Sequence, residues 1–110
     1  MAIDNSSYDA IESIYFKIKT YLETIKLGPE HSPIIIKHED LATLLESFDV
    51  EALEEQTKDI HALHLQLDTI IEVTNQIIED LKDTSDSVAT AKKIADGLNT
   101  VFEKIHNIAL

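Results

Sequence analysis

The sequence predicts an all-α protein: a four-helix bundle built on a long antiparallel helical hairpin, with one shorter helix. Two observations predict it. No glycine or proline lies between Ile34 and Asp96, so the two residues that most often interrupt helices are missing from more than half the chain. Apolar residues make up 44% of the composition, and they recur at three- and four-residue spacing rather than alternating, as helices with one buried face require. At 110 residues the chain is expected to form a single domain, 1–110, with a modest core.

A first helix is expected over 8–27, with Ser6 and Ser7 as capping residues and the Gly28-Pro29 pair as its stop. Ile11, Ile18 and Ile25 form its apolar stripe, flanked by Ile14 and Tyr21, with Tyr8, Tyr15 and Leu22 widening it. Phe16 falls on the opposite side, where a monomeric bundle wants a polar residue. In "SPIIIKHEDLATLLESFD" two readings are open for Ile34 to Ile36: a short extended segment, or the first turn of a helix with Pro33 at its start. The spacing of Leu41, Leu44, Leu45 and Phe48 predicts a short helix over 38–48.

Asp49 then caps a third helix expected over 50–82. Leu53, Ile60, Leu67, Thr74 and Leu81 hold one heptad position, and Leu63, Ile70 and Ile77 the other. At about 1.5 Å per residue such a helix reaches roughly 50 Å and overhangs its neighbours. Residues 83–87, "DTSDS", are poor helix formers and good caps, which predicts a turn into a fourth helix over 86–108 burying Val88, Ala91, Ile94, Ala95, Leu98, Val101, Phe102, Ile105 and Ile108. The alternative is one long continuous C-terminal helix, about 50–108, in a dimeric coiled coil, because Leu81, Val88, Ala95, Phe102 and Ala109 keep the seven-residue step. The hairpin is preferred because the polar cluster interrupts that seam and brings its own caps.

The chemistry the chain lacks narrows its function. There is no cysteine, hence no disulfide, thiolate metal site or thiol nucleophile. All nine cations are lysine, so the planar guanidinium fork that grips phosphates and carboxylates is missing. No serine has a G-x-S-x-G context, and Gly28 and Gly97 are isolated, which leaves no nucleophile elbow and no phosphate-cradling loop. The sequence therefore predicts no enzyme, no catalytic residue, no cofactor and no metal. With no signal-like start and no long apolar run, a cytoplasmic protein without membrane attachment is expected.

Two histidine patterns carry some chemical character. In "DIHALHLQLD", residues 59–68, His61 and His64 with Asp68 have the spacing of metal ligands on one helix face, but the cluster lacks a second ligand group and surface residues explain it as well. Glu103 and His106 show the Glu-x-x-His spacing of di-iron bundles, which need the motif twice. Residues 61–65, "HALHL", resemble the His-x-Leu-Lys-Gly pattern of histidine phosphotransfer domains at the histidine and leucine only. That resemblance implies a phosphorylatable His61 on a four-helix bundle. The departures at His64 and Leu65 remove the phosphoryl-stabilising lysine and the glycine that admits a receiver domain.

Charge is the strongest lead. The chain carries 21 acidic residues against nine lysines, a formal −12, which opposes direct nucleic-acid binding. Residues 39–59 hold eight carboxylates and one lysine, a net of −7. Part of this belt complements helix N-termini. The rest predicts a non-enzymatic protein-interaction module that meets a basic or nucleic-acid-binding protein, with Glu46, Glu51, Glu54, Glu55, Asp59 and Phe16 as its partner-binding residues. An alternative gives these carboxylates the place of phosphates, in a nucleic-acid-mimicking inhibitor of bacterial or phage defence type. Surplus apolar surface at Ile3, Phe16 and the end of the third helix further predicts self-association, a homodimer being the simplest form.

Overall fold

The computed structural model describes residues 6–83 and 87–109, and among these all regular structure is helical. Its elements are α1 (Ser6–Thr24), a single 3-10 turn (Pro29–His31), α2 (Ser32–Ser47), α3 (Val50–Gln56), α4 (Ile60–Lys82) and α5 (Ser87–Ala109). Five α-helices thus stand where four are predicted, because the expected third helix is two.

The break has a local cause. Thr57 adopts extended backbone with ψ of 146°, and Asp59 leaves the helical region with φ of −128° and ψ of 88°. The Thr57 hydroxyl accepts from the Asp59 N–H at 3.2 Å and lies 3.3 Å from the Asp59 carbonyl, giving the chain a turn that competes with continued helix. Asp59 then caps α4, its Oδ1 accepting from the Ala62 N–H at 3.0 Å, just as Asp49 caps α3 through Ala52 at 3.1 Å. Ile60, a seam residue on the continuous heptad, is instead the first residue of α4 and half exposed.

Other boundaries also differ from expectation. α1 ends at Thr24 rather than residue 27, and Gly28, extended at φ −130° and ψ 179°, has the conformation that the following proline imposes on its predecessor. α2 starts at Ser32 rather than residue 38, with Pro33 in its first turn, where a fixed φ and a missing N–H carry no penalty. Ile34 to Ile36 are therefore helical. Val88, an expected core residue, is 60% exposed on the first turn of α5.

α4 ends at Lys82, Asp83 is its C-cap with ψ of 104°, and the Thr90 hydroxyl donates to the Asp83 carbonyl at 2.7 Å. The chain reverses here instead of continuing as one helix; residues 84–86 of the expected turn lie outside the described residues. Thr90 bonds to Asp83 and Gly97 packs against Ile77, so α4 and α5 run antiparallel. Tyr15 meets His38 and Tyr21 meets His31, which makes α1 and α2 antiparallel too. Between the pairs the sense is parallel: Ser7 lies beside His64 and Ile25 beside Ile78 on α1 and α4, while Lys37 reaches Phe102 and Phe48 lies beside Ile105 and Ile108 on α2 and α5.

The close pairs are α1 with α2, α2 with α5, α5 with α4, and α4 with α1, a closed ring of four long helices. α2 and α4, consecutive apart from α3, stand at opposite corners. α3 crosses between them beneath α5, sharing clefts with Ile105 and Ile108. This folding back removes the overhang expected of a long third helix, since α4 and α5 have 23 residues each. Inside the ring lie Ile11, Ile14 and Ile18 of α1, Ile34 and Leu41 of α2, Leu63, Leu67, Ile70 and Ile77 of α4, and Ala91, Ile94, Leu98 and Val101 of α5. Thr74, also fully buried, satisfies its hydroxyl on the Ile71 carbonyl at 2.7 Å.

Candidate functional site

The crossing helix gathers the acidic belt at one end of the molecule. Glu46 projects from the last turn of α2, Glu51, Glu54 and Glu55 from α3, and Asp59 from the cap of α4. Their roles separate on inspection. Asp59 is committed to the α4 N-terminus through its capping bond. Glu54 is half-buried, and its Oε1 lies 3.2 Å from Nε2 of His64, joining α3 to α4. Glu46, Glu51 and Glu55 are exposed, and among the described residues none forms an ion pair. The same segment contributes Leu44, Phe48 and Leu53 to a small cleft of about 220 Å³ that Ile105 and Ile108 close from α5.

The histidines of "DIHALHLQLD" do not converge. His61 is exposed on the first turn of α4, and His64 turns to Glu54. Asp68 shares with His64 a cleft of about 170 Å³ that also holds Ser7, but no group of three histidine or carboxylate side chains among the described residues is placed to hold a metal ion. Glu103 and His106 are both exposed on α5. Among the described residues no helix is long and apolar enough to cross a membrane.

The histidines with structural work are two that pattern reading passes over. His38 stacks on Tyr15 at 4.4 Å, and its Nε2 lies 2.9 Å from the Tyr15 carbonyl, an acceptor, which identifies Nε2 as the protonated nitrogen. His31 is fully buried; its Nδ1 accepts from the Gly28 N–H at 2.9 Å while its own N–H donates to the Gly28 carbonyl at 3.0 Å. The Glu30 carboxylate, 3.8 Å from that Nδ1, is no ion pair to it, because the Gly28 N–H occupies the lone pair. The remaining Nε2 is buried with no hydrogen-bond partner, a cost of about 1–3 kcal/mol. The only sequence signal for this latch is a histidine two residues after Gly28-Pro29.

Tyr21, packed edge-on against His31 at 6.1 Å, is the one group among the described residues whose titration clearly moves. Burial first, and the Glu30 charge second, push its phenol above the ordinary value of 10.0. The folded state therefore holds a proton that the unfolded chain releases earlier. The corresponding stability is fully present below pH 10.0 and is lost as pH rises through the folded value. Tyr21→Phe should accordingly lose less of its urea midpoint than wild type between about pH 8 and about pH 11, with equal losses contradicting the assignment.

Phe16 lies elsewhere. It is 55% exposed on the outer side of α1, at the mouth of a groove formed with the last turn of α4 and remote from the acidic crossing. The expected binding residues therefore form two surfaces, not one. Compared with protein-family models, with curated proteins and with solved structures, the chain gives no significant match.

Proposed function

We propose that the chain is a non-enzymatic interaction module, a four-helix bundle whose connecting helix α3 presents an acidic rim to a basic protein surface. The observation that supports this reading is that Glu46, Glu51 and Glu55, exposed and without ion pairs among the described residues, lie on the same α2–α3 segment whose Leu44, Phe48 and Leu53 line an apolar cleft against α5. An apolar centre supplies contact, and the surrounding charge supplies steering and choice of partner. Asp59 and Glu54 serve mainly to hold α3 and α4 in place.

The test is a pull-down from cell extract at low salt, with the retained protein identified and its binding measured after purification. The triple variant Glu46→Gln, Glu51→Gln, Glu55→Gln is compared with wild type after circular dichroism has shown that both are helical. The reading expects a basic partner whose affinity falls roughly tenfold or more in the variant and weakens with added salt. If that partner is a nucleic-acid-binding protein that releases its nucleic acid on binding, the function is inhibition by charge mimicry. Equal affinity of the two proteins would reduce the rim to solvation and helix-terminal charge.

A further inference from the structure

Toward the opposite end of the molecule lies a second surface, whose charged lining among the described residues is lysine. A groove of about 460 Å³ follows the outer seam of α1 and α4, with Phe16, Tyr21, Ile25, Ile78 and Leu81 on its walls. From Phe16 to Thr24 it extends about 12 Å along α1, a little over two helical turns, with Ile25 just beyond. Lys17 and Lys82 also line it, and among the described residues no carboxylate does. In a chain where acidic residues outnumber lysines 21 to nine, this is a local inversion. The Lys82 ammonium meets Glu79 at 3.0 Å, but both side chains are about two-thirds exposed, and such a pair is weak enough to exchange for an incoming carboxylate.

We propose that this groove docks an amphipathic helix of a partner protein, one whose apolar stripe is flanked by aspartate or glutamate. An apolar stripe at three- and four-residue spacing fits a trough of this length between two helices. The lysines select the flanking charge, and Phe16 provides an exposed aromatic anchor of the kind that concentrates binding energy. A second copy meeting groove to groove would set the same lysines against each other, which disfavours a symmetric dimer through this face. The proposal concerns a different face from the acidic rim and does not depend on it.

The probes are two synthetic helices with identical leucine stripes, one flanked by glutamate and the other by lysine, titrated into the isotope-labelled full chain and followed by amide shifts. The glutamate probe is expected to move signals in 16–25 and 78–82, with affinity reduced roughly tenfold in Phe16→Ala. Lys17→Glu with Lys82→Glu should abolish its binding there. The lysine probe should instead move signals at the acidic end. Absence of groove shifts with the glutamate probe, or equal binding in both groove variants, overturns the proposal. So does concentration-dependent association of the chain alone that Phe16→Ala abolishes, since the occupant would then be another copy.

Discussion

Replacing Gly97 with leucine should destabilise the fold by about 3 kcal/mol, near the upper end of what overpacking a core ordinarily costs. A Cβ at Gly97 would lie 2.6 Å from Cγ1 and 3.1 Å from Cδ1 of Ile77. Ile77 is itself fully buried, so it cannot swing into solvent to make room. The alternative is separation of α4 from α5, which opens the contact that defines the hairpin. Alanine is the more discriminating substitution: it gains about 1 kcal/mol of helix propensity over glycine and should still be destabilising on balance. Urea unfolding of Gly97→Leu, Gly97→Ala and each combined with Ile77→Ala measures the coupling. Partial recovery in the double variants is expected, and strict additivity would mean that the two positions do not touch.

Ile70→Ala should cost roughly 2–5 kcal/mol, the range for truncating a large aliphatic side chain in a packed core. Ile70 is fully buried in α4, the helix packed against both α1 and α5. The informative control is Ile60→Ala. Both isoleucines are seam residues on an uninterrupted heptad, one in each of its two apolar positions, yet Ile60 is 50% exposed and its truncation should change stability by less than about 0.5 kcal/mol. Thermal unfolding gives the contrast directly, with a depression of at least about 10 °C for Ile70→Ala and almost none for Ile60→Ala. Comparable effects at both sites would restore the continuous helix.

That pair of residues also marks how far the fold was legible. Helical spacing located the buried face of α1 and nearly all of α4 and α5, because one face of each is apolar and the other charged over several turns. It missed the break before Ile60 because Leu53, Ile60 and Leu67 retain a seven-residue step while the backbone between them turns. The signal was present in Thr57 and Asp59, a hydroxyl and a cap three residues before a new apolar run, but a regular heptad outweighed it. Pro33 signalled the true start of α2, and the two available readings of Ile34 to Ile36 differ only in what that proline terminates or begins.

The candidate site was legible in composition and not in arrangement. Clustering of carboxylates between residues 39 and 59 is visible in one dimension, whereas the pairing of Glu54 with His64 requires α3 to fold back beside α4. The same limit applies to Phe16. Its place on the wrong side of an apolar stripe marks it as exposed, but the lysines that share its groove come from two helices more than 60 residues apart in sequence, Lys17 and Lys82. No periodicity connects them.

The antiparallel pairs α1–α2 and α4–α5 are each joined through short connections, whereas the parallel contacts of α1 with α4 and α2 with α5 all depend on the passage through α3. Long-range closure of the chain is thus concentrated at one junction, residues 48–59. Chain entropy penalises a longer connection only logarithmically, about 0.6 kcal/mol for each doubling of a flexible loop. The acidic crossing is consequently the place where the molecule accommodates changes in length at least cost: insertions between Gln56 and Asp59 alter one closure and leave the packing within both hairpins as it is.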